Sequence, residues 1–527
     1  MPNNVLPGAP TVSPLPPDGS ADLRARLEAA GISLSAAETD SVATLADWLH
    51  DGLARLDTDA HEAAPERIVP ALDADTLLDS DLFAQGQALR DGSITAVALT
   101  RAYLARIGRR DPAFRAFYAI SETRALADAA QADADFAAGV DHGPLQGIPV
   151  GIKDMIDLAG LATTANAPGR AEAIAGSDAA AVARLAAAGA VLIGKTATYE
   201  WGTVGPDSGG LFPPARNPWS LAHITGGSSS GNGAAIAGGL LRVALGGDTG
   251  GSLRGPAFYC GVVGLKPTFG SVPVEGALAM SPSMDHVGPM AASVAEAAVM
   301  LDAIADRGAA PAAAAWLGRP VTGLRIGYAR NWFAHDPQIM PAVLAAMDAA
   351  ASTLSQLGAV IEEIELPDYA AIEVAAAAIL HKESFDYHAA ALRDQPQAYG
   401  RRAFLSLVTG VAISDAELAA SRQAGRAFSA AVDQLLGQHD ALLTVGALTT
   451  ALLAAPFEEE AVWTPMRTIG FNVSGHPVLA MPIGLHDGLP IGMQLIGRHH
   501  DEARIVQIGH AFERATDHAL QRPPSLT

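Results

Sequence analysis

Residues 226–268, GGSSSGNGAAIAGGLLRVALGGDTGGSLRGPAFYCGVVGLKPT, constrain this chain more than any other stretch. Glycine, alanine and serine dominate them, so they lack the bulk of an ordinary core segment. A disordered linker would not carry Leu240, Leu241, Val243 and Leu245 between its glycine clusters. Residues 226–231 (GGSSSG) read as a tight loop opening a helix of very small residues, and Gly250, Gly251 and Ser252 as a second tight loop. Glycine reaches positive φ without steric cost and lets backbone N–H groups come close to a ligand. A helix N-terminus adds unpaired N–H donors and positive partial charge. Two such loops, each carrying a serine, suggest a serine nucleophile with an oxyanion hole of backbone N–H groups.

A serine nucleophile needs a base, and lysine usage points to one. The only lysines are Lys153, Lys195, Lys266 and Lys382, although Lys and Arg together number 34. The chain supplies positive charge with arginine almost everywhere, so a lysine here is needed as an amine. A buried lysine can lose its proton and an arginine cannot. Lys153 falls at the end of a short buried strand read over Val150, Gly151 and Ile152.

The segments around these loops define the class of fold. Residues 77–138 carry a helical pattern with Leu89, Val97, Leu99, Tyr103 and Ile107 among its apolar positions. A helix over 178–190 and a strand over 190–195 follow. Alternating helices and buried strands predict an α/β sheet covered on both faces. Asp487 and Gly488 read as a hairpin turn before a last strand at 494–497. Before this core, residues 1–20 form a Pro-rich arm and residues 21–75 a helical extension. In the extension Ser35-Ala36-Ala37-Glu38 has capping-box form, and Val42, Leu45, Leu49, Leu53 and Leu56 share one helical face.

The formal charge of −22 argues against nucleic acid and anionic membrane surfaces as partners. No segment is apolar and long enough to span a bilayer, and the N-terminus lacks the basic and apolar regions of a signal peptide. The expected location is cytoplasmic. Cys260 is the only cysteine, which excludes a disulfide framework or a cysteine metal cluster. His499, His500 and Asp501 are the one dense run of metal-ligating side chains, and they read as a solvated turn. Neither a metal nor a cofactor is expected.

Three motifs, GGSSSG, GGDTGGSLRGPA and CGVVGLKPT, resemble the signature of the amidase signature family, serine hydrolases with a Ser–cis-Ser–Lys triad. Ser252 follows Ser228 by 24 positions, as in that family. Residues 147–157 resemble the family's strand with its catalytic lysine, and residues 471–477 its closing strand approach. The resemblance covers roughly 77–514. It implies a large mixed twisted sheet with helices on both faces, an amidase domain over 76–520, a signature core over 147–290 and a variable substrate-pocket region over 291–460. Trp201 stands where the family has phenylalanine, and GGSSSG and GGSLRGP depart slightly from the family's GGSSGG and GGSIRxP.

The resemblance assigns Ser252 as nucleophile, Ser228 as proton relay after a cis peptide bond, and Lys153 as base. The N–H groups of Thr249, Gly250, Gly251 and Ser252 are the implied oxyanion hole. Asp248 and Arg254 are expected to hold the loop, and Lys195 and Lys266 to be structural. Trp201, Gly226, Gly227 and Met280 are candidate substrate contacts, with Phe212 and Met284 hinting at an apolar pocket. The expected activity is hydrolysis of a small-molecule carboxylic amide to acid and amine or ammonia. Carbamates, ureides and esters share that chemistry. Two rivals stand beside it: a Ser–His–Asp hydrolase recruiting Asp285 and His286, and an amidotransferase subunit that releases ammonia from glutamine inside a complex. The N-terminal extension leans against the latter and suits packing or formation of a homodimer.

Overall fold

The computed structural model describes residues 77–524 throughout and, before them, residues 27, 29–35, 38, 39 and 42. The expected arm at 1–20 lies outside the described residues, as do Leu45, Leu49, Leu53 and Leu56 of the expected helical face. Within the described part the Ser35 N–H donates to Glu38 Oε2 at 2.9 Å, which is the reach-back bond of a capping box.

One mixed sheet organises the rest. Its strands are β1 (Phe117–Ile120), β2 (Pro149–Lys153), β3 (Val191–Thr196), β4 (Val243–Asp248), β5 (Val263–Lys266), β6 (His286–Ala291), β7 (Arg325–Tyr328), β8 (Val360–Glu363), β9 (Ala441–Val445), β10 (Val478–His486) and β11 (Leu489–Ile496). The 11 strands lie in the order β1-β3-β2-β4-β6-β5-β10-β11-β9-β7-β8. Strands β2, β3 and β4 run parallel, as do β7, β8 and β9, and antiparallel strands join the two groups. Every residue of β2, β3, β5, β6, β9 and β11 is buried, as a sheet clad by helices on both faces requires. Among the described residues no single helix is long and apolar enough to cross a membrane.

The helices that matter for the site are α1 (Ser230–Ala237), α2 (Arg254–Cys260), α3 (Tyr369–Asp394) and α4 (Asp415–Leu436). Helix α1 is buried at every position. Its small residues are a packing requirement: a Cβ on Gly231 would lie 2.2 Å from the Ala197 nitrogen and 2.3 Å from the Ala116 oxygen. Only a helix without side chains on that face can sit so close to the strand ends.

The helical reading of 77–138 needs one correction. Residues 117–120 form β1, paired antiparallel with β3. Four residues between two helices are too few for an alternating pattern to register. They become a strand because β3 offers a free edge, a tertiary cause that local sequence does not carry.

Candidate active site

The topology brings two chain segments to one end of the sheet. Strands β2 and β4 are parallel neighbours, so Lys153 at the end of β2 and the loop at 249–252 after β4 leave the sheet on the same side. Open α/β sheets characteristically place ligands beyond the carboxyl ends of their strands. The loop before α1 arrives there too, and the Ser229 N–H donates to the Ser252 carbonyl at 3.1 Å, so the two serine loops are pinned together. The Gly227–Ser228 peptide bond is cis, as the family resemblance implies.

Lys153 Nζ donates to Ser228 Oγ at 2.7 Å and lies 3.4 Å from the Gly247 carbonyl. Both residues are buried, at 2% and 3% exposure. Burial pushes the Lys153 ammonium down to about 7, against the Asp248 and Asp285 carboxylates, which pull it up. A lysine so held gives up its proton far more readily than an exposed one and can serve as a base. The same geometry separates Ser228 from its neighbours. Ser229 Oγ donates to the Gly247 carbonyl at 3.1 Å and Ser230 Oγ to the Ala197 carbonyl at 3.3 Å, so neither is aimed at the lysine.

The loop after β4 is held by a buried ion pair. Arg254 Nη2 and Nε donate to Asp248 Oδ1 and Oδ2 at 2.9 and 3.0 Å, and Asn472 Nδ2 reaches Asp248 Oδ1 at 2.7 Å. Burial works against a charged Asp248, but Arg254 and Asn472 outweigh it and hold the carboxyl well below the usual range. Arg254 in turn donates to the Thr468 carbonyl at 2.8 Å. This arrangement alters the expected oxyanion hole. The Gly251 N–H is not free, because it donates to Asp248 Oδ1 at 2.8 Å. Among the described residues the Gly250 and Ser252 N–H groups have no protein acceptor. Gly251 itself sits at φ 128°, and a Cβ there would lie 2.3 Å from Thr468 Oγ1.

The histidine rival does not fit this geometry. His286 Nδ1 faces the Met284 carbonyl at 2.7 Å and Nε2 faces Lys266 Nζ at 3.0 Å, so both ring nitrogens are engaged away from the serines. Burial and the neighbouring Lys266 hold this imidazole well below its usual range. Asp285 instead accepts from Thr249 Oγ1 at 2.5 Å and from the Met280 and Ser281 N–H groups at 2.9 and 3.0 Å. Burial pushes its carboxyl up to about 6. Lys195 pairs with Asp154 at 2.9 Å, which leaves Lys153 without that partner.

Of the candidate substrate contacts, Trp201 precedes Gly202, and it is at Gly202 that a Cβ would fall 3.4 Å from Ser228 Oγ. Trp201 packs edge-on to His388 (4.5 Å between centroids) and near Tyr399, in a buried cluster with Met155. This surround is less apolar than the sequence suggested. Trp201 Nε1, His388 Nε2 and Glu200 Oε2 are all buried without a hydrogen-bond partner, and burial pushes the Glu200 carboxyl up to about 7. Phe212 stacks on Tyr118 at 4.4 Å, and Met280 and Met284 are buried within the loop that carries Asp285. Glu383 of α3 holds that loop, accepting from Ser281 Oγ and Ser283 Oγ at 2.8 Å each. His388 and Glu383 carry no motif, and no signal in the sequence singles them out.

Comparisons with known proteins agree with the fold. A family model described as Amidase matches residues 98–506. A glutamyl-tRNA(Gln) amidotransferase subunit of Roseiflexus sp. (strain RS-1) is 38% identical over 477 residues, covering 83% of this chain and 96% of the relative. The structure of the native peptide amidase of Stenotrophomonas maltophilia aligns with a TM-score of 0.73 at 31% identity, over 84% of this chain and 98% of that one. The corresponding glutamyl-tRNA(Gln) amidotransferase subunit of Thermotoga maritima aligns at 0.69 and 26% identity, over 86% and 99%. Fold and matches together define a hydrolase of mixed α/β fold that acts on C–N bonds. The chain belongs to the amidase signature family.

Proposed function

We propose that this chain hydrolyses a carboxylic amide to acid and amine or ammonia through an acyl-enzyme on Ser252. The observation that carries the proposal is the 2.7 Å contact between a buried, easily deprotonated Lys153 and Ser228 Oγ. Neutral Lys153 takes the Ser228 hydroxyl proton as Ser228 takes that of Ser252, and Ser252 Oγ attacks the substrate carbonyl. The Gly250 and Ser252 N–H groups, with Thr249 beside them, receive the oxyanion. Each such donor is worth about 2.7–4 kcal/mol in the transition state. The proton returns along the same relay to the leaving nitrogen. Water then attacks the acyl-enzyme by the reverse path.

Two readings of the substrate follow. The amidotransferase relatives favour glutamine as the amide, with ammonia passed on inside a complex. The likeness to peptide amidase, and the unpaired polar atoms at Trp201, His388 and Glu200, favour a free amide with a second polar group beyond the scissile bond. A panel of glutamine, aliphatic and aryl amides, a peptide amide and a carbamate separates them, run beside Ser252→Ala and Lys153→Ala. Turnover of a free amide by the chain alone, lost in both folded variants, supports stand-alone hydrolysis. Turnover confined to glutamine, with a second polypeptide co-purifying, supports the amidotransferase reading. Full activity in Lys153→Ala would overturn the mechanism in both.

A further inference from the structure

We infer that Asp433, His476 and His499 form a site for one divalent metal ion of the imidazole-and-carboxylate class, such as zinc, cobalt or nickel. The donor atoms of the three side chains all lie within 4.8 Å of one another. They come from three separate segments. Asp433 lies on α4, His476 just before β10 and His499 just after β11. Of the dense run His499, His500 and Asp501, only the first residue joins the cluster.

One of the three donor spacings already matches that of a tetrahedral ion. Two donors at about 2.0–2.1 Å from such an ion lie about 3.3 Å apart. His476 Nε2 and Asp433 Oδ1 are 3.2 Å apart, and the His476 and His499 rings are tilted by 34° with their centroids 4.0 Å apart.

The surroundings orient the ligands. His476 is fully buried, and its Nδ1 meets Ser474 Oγ at 3.0 Å. When Nδ1–H donates to that hydroxyl, Nε2 turns a lone pair toward a carboxylate oxygen. Two acceptors in contact repel unless a cation lies between them. Partners of this kind on the second ring nitrogen accompany metal-binding histidines generally. The backbone on either side is tied down: the Gly497 N–H donates to the Pro477 carbonyl at 3.0 Å and the His500 N–H to Thr268 Oγ1 at 2.8 Å. Asp433 has a side chain 57% exposed, which gives an ion a way in and a coordination position open to water. The ion would clamp α4 to the ends of the hairpin formed by β10 and β11.

The test uses the full chain without a histidine tag, stripped with EDTA and dialysed. Zn²⁺ is titrated calorimetrically, and Co²⁺ by its visible d–d absorption. The expected result is one equivalent bound, a tetrahedral Co²⁺ spectrum and a higher thermal midpoint with Zn²⁺ but not with Mg²⁺. His499→Ala and Asp433→Asn, both at solvent-reaching positions, should keep their metal-free midpoint and lose that equivalent. Ser474→Ala should weaken affinity about 10–100-fold by freeing the ring. Absence of stoichiometric binding would mean a plain His476 Nε2–H···Asp433 hydrogen bond and would overturn the proposal. So would undiminished binding by His499→Ala.

Discussion

Lys153 is where one residue decides the chemistry. Its amine acts only when neutral, and burial brings its titration to about 7. Protonation below that point removes the base, so kcat/KM should rise with pH through an apparent pKa of about 7 and level off above about pH 8. Asp285 gives this assignment a sharper check. Its carboxylate raises the Lys153 pKa, so Asp285→Asn should move the rising limb to lower pH. A limb that stays in place or moves up, in a variant with wild-type thermal stability, would separate the limb from Lys153. Ser228 and Lys153 act as a unit in this mechanism. Removing both should therefore cost little more than removing either, and a double-mutant cycle on kcat should be far from additive.

At the scale of elements, the turn from β4 into α2 is held by contacts the local sequence cannot reveal. Asp248 and Arg254 are legible as loop-holding residues because they flank the nucleophile. Their partners Thr468 and Asn472, the latter inside the 471–477 segment, lie more than two hundred positions away, and nothing local pairs them with the loop. The glycine loops, Lys153 and the parallel strands were legible because each imposes a local pattern: missing side chains, a scarce amine, a buried apolar run. Strand β1, Glu383 and the inward turn of the Gly251 N–H were not, because only the assembled fold creates them. Arg254→Met should expose this dependence. It leaves Asp248 buried and charged without its partner, a loss of about 3–5 kcal/mol in urea unfolding. The Arg254→Met/Asp248→Asn pair should cost less than the sum of the singles, since the second change removes the orphaned charge. Additive losses would mean that the two residues stabilise the loop separately.

The whole molecule contains a large core around the sheet and a second buried cluster beside the site, and the second ties the N-terminal segment to the chemistry. Leu27, Ile32 and Val42 are buried in the same cluster as Met155, Trp201, Tyr399 and Phe404. Glu38 forms an ion pair with Arg401 on the same side, and that contact holds the Glu38 carboxyl down at about 2. The segment thus packs into the cluster of Trp201 and Met155, and Met155 and Ser228 Oγ both lie against Gly202. Exposed ion pairs of this kind contribute little, about 0–1 kcal/mol, so the attachment rests on the apolar residues. Leu27→Ala and Ile32→Ala should each destabilise the chain by about 2–5 kcal/mol if the segment unfolds together with the sheet. They should also raise KM for the best amide of the panel, while the apparent pKa near 7 stays where Lys153 sets it. Unchanged stability and unchanged KM in both variants would detach the extension from the site. A shifted pKa would mean instead that the segment controls how deeply Lys153 is buried.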